Sequence, residues 1–189
     1  MNMKFQEELT KQLDDAQTII FDMDDTLVYT SYANFISYQM AIFETLGVYV
    51  PIQEQRFTKT TLKQLFPHLD EELFTEIVQI KKELFAHYMQ NTRLNYILSY
   101  VIKRYSKEKK LVLSTNSIKG RAISLLKHHN LYEYFDAIFY KENHQQNKYQ
   151  TIVEELNIDV EKTIIFENEM EQIALAKEVG FLPTNILKI

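Results

Sequence analysis

The apolar run Thr18-Ile19-Ile20-Phe21 passes directly into Asp22-Met23-Asp24-Asp25-Thr26-Leu27. A short, continuous apolar run that stops at turn-forming acids predicts a buried strand. In an extended chain the side chains alternate with period two, so Asp22 and Asp24 project to the same side. Ligands of open α/β sheets collect at the carboxyl ends of strands, where these two acids fall. An Asp-x-Asp after a strand can also be plain turn chemistry, so the pair must be weighed against the rest of the chain.

Two like charges held this close repel unless a cation sits between them or one acid is protonated. Magnesium is the natural partner. It would also offset repulsion between a carboxylate nucleophile and an incoming phosphate dianion, which makes an aspartyl phosphate the expected intermediate. Asp24 could then lend a proton to the leaving alcohol and draw one from water, a role typically worth about 10²–10⁴-fold.

Working outward, the 189 residues are 46% apolar, 25% charged and 13% aromatic, which is globular composition. Gly47, Gly120 and Gly180 are too far apart to write a P-loop or a G-x-G-x-x-G turn. Zero cysteines remove thiol nucleophiles, thiolate zinc sites and disulfides, consistent with a cytoplasmic protein. The net charge of −5 argues against nucleic acid as a partner. Residues 1–15 lack the pattern of a secretory signal, and no window approaches the roughly 20 apolar residues of a membrane span.

Phe5, Leu9 and Leu13 predict a short amphipathic helix before the first strand. Between Tyr29 and Tyr105 the pattern is helical, most clearly at Leu73, Ile77, Ile80, Leu84 and Tyr88. Pro51 and Pro67 divide this region into three or four helices. After the basic stretch Lys103 to Lys110, whose cluster Lys107 to Lys110 is expected to be a solvated connection, strands at 111–113, 137–139 and 163–166 alternate with helices at 118–129, 149–156 and a last one ending near Gly180. This order predicts an α/β fold: a Rossmann-like parallel sheet with helices on both faces. The expected division is a core of residues 1–29 and 107–189 with a helical cap, 30–106, inserted as a separate lobe. Hinges would fall near Tyr29 to Ser31 and Ser106 to Lys109.

With the strand followed by D-x-D-x-T at Asp22, Asp24 and Thr26, the sequence resembles the haloacid dehalogenase (HAD) superfamily. Within it, the likeness is to C1-capped proteins of the phosphoglycolate phosphatase and β-phosphoglucomutase kind. The resemblance implies that Asp22 is the nucleophile and a magnesium ligand, and that Asp24 is the acid/base with its backbone carbonyl also on the metal. Leu111-Val112-Leu113-Ser114-Thr115-Asn116-Ser117 is similar to the second family motif. It assigns phosphate binding to the Thr115 hydroxyl and the Asn116 backbone N–H, the latter at a strand-to-helix turn. Lys148 matches the third motif, a fixed positive charge at a helix start, although the usual following proline is Tyr149. For the fourth motif, Gly180, Ala176 and Ile173 set the register, and the acidic pair falls on Glu167-Asn168. The metal set implied is therefore Asp22, Asp24, Glu167 and Asn168. An amide at 168 brings no negative charge, a deficit that Glu169 or Glu171 could offset.

Each assignment has a structural alternative. Thr115 alone is a buried strand-end hydroxyl, Lys148 alone a solvated helix residue, and Asn168 with Glu171 a capping box. His128 and His129 close a predicted helix, and His68, His87 and His144 are isolated, so no histidine mechanism or metal site is expected. The expected activity is a Mg²⁺-dependent phosphatase for a small phosphorylated metabolite, as monomer or dimer and without a membrane partner. The alternatives are a phosphomutase of the same superfamily or a catalytically weak binding protein of the same fold. A dehalogenase is disfavoured because it would leave Asp24 without a purpose.

Overall fold

Strand β1 (Thr18–Phe21) sits between β4 (Lys110–Ser114) and β6 (Thr163–Glu167), in register Ile20↔Val112 and Ile20↔Ile165. With β5 (Ala137–Phe139) and β7 (Ile186–Lys188) outside them, the five-stranded sheet has the order β5-β4-β1-β6-β7, every pairing parallel. The computed structural model describes residues 3–52, 56–143 and 147–189, the side chains of 3–6 excepted. The Phe5 side chain and His144 named above lie outside the described residues.

Alternation along the central strands decides the two sheet faces. Ile20, Val112 and Ile165 are buried in one cluster with Tyr149 and Ile152 of α7 (Lys148–Leu156), Ile173 and Ala176 of α8 (Met170–Val179), and Phe181. Ile19, Phe21, Leu111 and Leu113 are also fully buried, and the period of two turns them to the opposite face. There Phe21 stacks on Phe166 with centroids 5.3 Å apart and meets Phe135 edge-on at 6.0 Å. The chain runs outward from β4 to β5 through α6 (Lys119–His128) and returns to β6 through α7. Right-handed crossovers therefore place these helices on opposite faces. Helices on both sides of a parallel sheet are the predicted architecture. Gly180, with φ of +105°, ends α8 in the left-handed conformation expected of it. Strand β7, after it, was not expected from the sequence.

The chain divides into two compact units, residues 1–28 with 94–189 and residues 29–93. The second is helical: α2 (Ser31–Leu46), α3 (Lys59–Leu65) and α4 (Glu71–Tyr88) bury Tyr38, Ile42, Phe57, Leu62, Phe74 and Ile77 together. In α4 the fully covered positions are Phe74, Ile77, Val78 and Phe85, while Ile80 and Leu84 are half-buried. The stripe is thus offset from the predicted one toward the two phenylalanines. Two short strands, β2 (Val28–Tyr29) and β3 (Arg93–Leu94), pair where the chain passes from one unit to the other.

The predicted boundary at 106 is corrected to 93. Helix α5 (Tyr96–Tyr105) belongs to the sheet unit, where Leu98, Ile102 and Tyr105 are buried. Its N-cap Asn95 accepts from Leu98 N at 3.3 Å and donates to Thr26 O at 3.2 Å, while Asn95 N donates to Leu27 O at 2.9 Å. Its last residue, Tyr105, donates its hydroxyl to Asp14 at 2.7 Å. The hinge expected at 106–109 is instead an anchor. Lys109 Nζ donates to Asp14 O and Ala16 O at 2.6 and 2.5 Å, closing the carboxyl end of α1 (Met3–Asp15). Helical periodicity is the same on either side of residue 93, so periodicity could not mark the boundary. Among the described residues no helix is long and apolar enough to cross a membrane.

Asn95→Ala removes both the α5 cap and the tie to Thr26. Urea denaturation should show a loss of about 1–2 kcal/mol, and an unchanged midpoint would mean that α5 is not held through this residue.

Candidate active site

The site is assembled at the carboxyl ends of β4, β1 and β6. Asp22 N still donates to Phe166 O at 2.9 Å, which extends the sheet pairing one residue beyond β1. The chain then turns sharply: Met23 O accepts from Leu27 N at 3.1 Å and Val28 N at 2.9 Å, while Asp25 N donates to Val28 O at 2.7 Å. Asp25 carries a φ of +59°, a left-handed conformation that Asp tolerates better than most residues. Met23, Leu27 and Val28 are fully buried and anchor this turn. Asp22 and Asp24 are left at its functional edge, near enough that the Asp24 charge acts on Asp22.

Lys148 is the first residue of α7. The Asn147 side chain caps that helix, accepting from Tyr149 N at 2.9 Å and Gln150 N at 3.4 Å, and donates to Leu175 O at 2.9 Å. Held there, Lys148 is only 2% exposed, and its ammonium donates to Asp22 Oδ1 at 2.9 Å and Glu167 Oε2 at 2.8 Å. It also approaches Ser114 O at 3.5 Å. One ammonium thus reaches the ends of all three strands. The sequence placed Lys148, Asp22 and Glu167 in one site, and the geometry brings them into direct contact.

The charges shape one another. Burial pushes the Asp22 carboxyl up to about 7; Lys148 pulls against this, while Glu167 and Asp24 add to the rise. Burial works to lower the Lys148 pKa, but Asp22 and Glu167 outweigh it and the ammonium is held above its ordinary range. Burial and Glu167 together raise the Tyr149 phenol.

Glu167, which the sequence resemblance puts on the metal, is engaged at both carboxylate oxygens by hydrogen-bond donors. Its Oε2 accepts from Lys148 and from the Tyr149 hydroxyl at 2.7 Å; its Oε1 accepts from Asn168 N at 3.0 Å and Glu169 N at 3.1 Å. Four donors occupy the four lone-pair sites of a carboxylate. Glu167 is the counter-charge that holds Lys148. Tyr149, which stands where the family pattern has proline, supplies one of those donors.

The oxygen of Asn168 behaves differently. Helix α8 starts at Met170 with Glu169 at its N-cap and no side-chain cap bond, so the capping-box alternative is not what forms. Asn168 Oδ1 is buried and accepts no hydrogen bond. A buried, unpaired amide oxygen just beyond the end of β6 suits a hard cation. Among the described residues no three His, Cys, Asp or Glu side chains group to hold a metal. A magnesium ion at Asp22 would therefore draw on amide and main-chain oxygens, and the residues present fit one.

Thr115 is 1% exposed, and its Oγ1 accepts from Ser117 N at 3.0 Å. Asn116 is exposed at the tip of the same turn. The sequence reading missed what meets Asp24. Arg121 Nη2 and Nη1 donate to Asp24 Oδ1 and Oδ2 at 2.6 and 2.8 Å, Ser117 Oγ donates to Oδ2 at 2.7 Å, and Arg121 Nη1 also donates to Ser117 Oγ. A signal was available: a cation in the first turn of a helix opposes the macrodipole and needs another partner.

Two stability measurements follow. Lys148→Ala leaves two buried carboxylates without their cation and should cost roughly 3–5 kcal/mol in EDTA; a loss below about 1 kcal/mol would be incompatible with that geometry. Asp22 binds its proton more tightly in the fold than in the unfolded chain, so its contribution to metal-free stability is present at low pH and falls as pH rises from about 4 to about 7. Asp22→Asn should therefore resist urea better than the parent in EDTA at pH 8, with the gap shrinking toward pH 4.5. A gap independent of pH would contradict this account.

The family model for haloacid dehalogenase-like hydrolases matches residues 19–182. A phosphorylated carbohydrates phosphatase of Thermotoga maritima is 26% identical over 180 residues, covering 87% of this chain and 82% of the relative. Among solved structures, a haloacid dehalogenase-like family protein from Streptococcus pneumoniae superposes with a TM-score of 0.73 at 20% identity, over 93% of this chain and 85% of that one. CbbY from Rhodobacter sphaeroides, solved in complex with phosphate, gives 0.71 at 20% identity, over 88% and 84%. With the family model spanning the sheet unit and the helical unit alike, the chain belongs to the haloacid dehalogenase-like hydrolases and is an enzyme of that family.

Proposed function

We propose that this enzyme is a magnesium-dependent phosphatase that hydrolyses a small phosphomonoester, a phosphorylated carbohydrate being the favoured class, through an aspartyl phosphate on Asp22. The observation that carries this reading is the buried Asp22–Lys148–Glu167 chain at the ends of three adjacent parallel strands. The substrate class comes from the Thermotoga maritima relative, whose name specifies phosphorylated carbohydrates. In this reading the helical unit, residues 29–93, takes the part of the cap.

Asp22 attacks phosphorus. Lys148, the Thr115 hydroxyl and the Asn116 amide hold the phosphoryl oxygens as charge builds on them. Asp24 passes a proton to the leaving oxygen and later takes one from the water that hydrolyses the acyl phosphate. Asp22, Asn168 and the Asp24 carbonyl would hold magnesium, which would supply positive charge to offset repulsion between the carboxylate nucleophile and the phosphate dianion. Glu167 serves by keeping Lys148 in place.

The test is p-nitrophenyl phosphate hydrolysis with magnesium or EDTA, followed by a panel of sugar phosphates. Turnover should require magnesium and fall to background in Asp22→Asn. Hydrolysis that survives this substitution would remove Asp22 as nucleophile, and no turnover of any ester would favour a binding protein of the same fold. Asn168→Asp should tighten magnesium binding by calorimetry; an unchanged affinity would take residue 168 out of the coordination shell.

A further inference from the structure

We infer that Arg121 is a positioning residue for the second half of the reaction: it orients Asp24 to receive the proton of the water that attacks phosphorylated Asp22. The inference rests on the phosphatase reading above and adds to it a residue that the motif series does not contain. The contact is a two-point fork. Nη2 meets one carboxylate oxygen and Nη1 the other, across 97 positions of sequence, with the two side chains only 16% and 9% exposed. A planar guanidinium engaging both oxygens fixes the rotation of the carboxylate as well as its place, which a lysine ammonium cannot do.

The clamp is built into the phosphate-binding turn. Ser117 and Arg121 stand one helical turn apart, and Ser117 Oγ shares the Asp24 carboxylate with the fork. Ser117 is itself held at both main-chain groups, its N–H on Thr115 Oγ1 at 3.0 Å and its carbonyl accepting from Lys141 N at 3.1 Å. The residue that would bind phosphate and the pair that aims Asp24 thus lie along one turn and the first turn of the helix it leads into. Arg121 lies in the first turn of α6, where a cation is disfavoured by the helix dipole, and the ion pair with Asp24 is what offsets that placement.

The fork sets the orientation of the Asp24 carboxylate, and the water step uses that group as the proton acceptor. In that step the water oxygen bonds to phosphorus as the bond from phosphorus to the Asp22 oxygen breaks. The bonding pair stays on Asp22 and restores its carboxylate. The water proton passes to Asp24, and inorganic phosphate leaves.

An aryl ester separates the two halves, because p-nitrophenolate departs without a proton. In rapid mixing of the magnesium-loaded enzyme with p-nitrophenyl phosphate, Arg121→Gln should release a burst approaching one p-nitrophenolate per enzyme. A steady rate about tenfold below the parent should follow, a fraction of the 10²–10⁴-fold typical of general acid–base catalysis. Arg121→Lys keeps the charge without the fork and should behave the same way, and it carries the comparison if the glutamine variant does not fold. In an Asp24→Asn background neither substitution should add a further loss. A first turnover slowed as much as the steady rate, a rise in KM with kcat unchanged, or an effect that persists without the Asp24 carboxylate would each overturn the assignment while sparing the phosphatase reading. If the parent enzyme shows no Asp22-dependent turnover of any ester, the phosphatase reading falls and Arg121 loses its role with it.

Discussion

Placing the Asp22 carboxylate out of water at the end of the central strand is the constraint on which the site depends. Burial alone would drive that group to its neutral form, and the structure answers with an ammonium, Lys148, only 2.9 Å away. That ammonium is buried in turn and needs a second carboxylate, Glu167, whose four lone-pair positions are filled by Lys148, Tyr149 and two main-chain amides. Each buried charge requires the next, and the sequence of requirements ends only at neutral donors. Two carboxylates and one ammonium leave the group with a net charge of −1, and the Asp22 carboxyl rises to about 7. The cluster is electrostatically one positive charge short.

The two acids of the motif are kept in different surroundings. Asp22 is paired to a point charge and retains an oriented carboxylate at the strand end. Asp24, two residues on, is gripped by a planar fork from another helix. Neighbouring carboxylates can divide nucleophilic and proton-transfer work only where their environments are set apart. The turn between them, with Asp25 in the left-handed conformation and Met23, Leu27 and Val28 packed beneath, supplies that separation.

Much of the architecture was legible because it is local. The run Thr18–Phe21 announced a strand, the later alternation of apolar runs and helical periods announced the parallel sheet, and D-x-D-x-T placed the acids at a carboxyl end. The boundary of the helical unit was not legible: α5 has the same periodicity as α4, and only the bonds of Asn95, Tyr105 and Lys109 assign it to the sheet unit. Strand β7 was hidden in the last residues, where three positions are too few to display a period. Glu167 was recognised as part of the site, but its contact with Lys148 was not legible, since nothing in its sequence neighbours distinguishes a metal ligand from a lysine anchor.

The sequence by itself determined which residues stand at the strand ends, because strand and helix periods are set by backbone geometry over a few positions. Only the tertiary structure decided which charge meets which. Asp22 and Lys148 are 126 positions apart and Asp24 and Arg121 are 97 apart, and Coulomb and hydrogen-bond energies depend on distance through space. The role of Glu167, the hydroxyl of Tyr149 and the fork of Arg121 became visible only when the folded chain closed those separations to 2.6–2.9 Å.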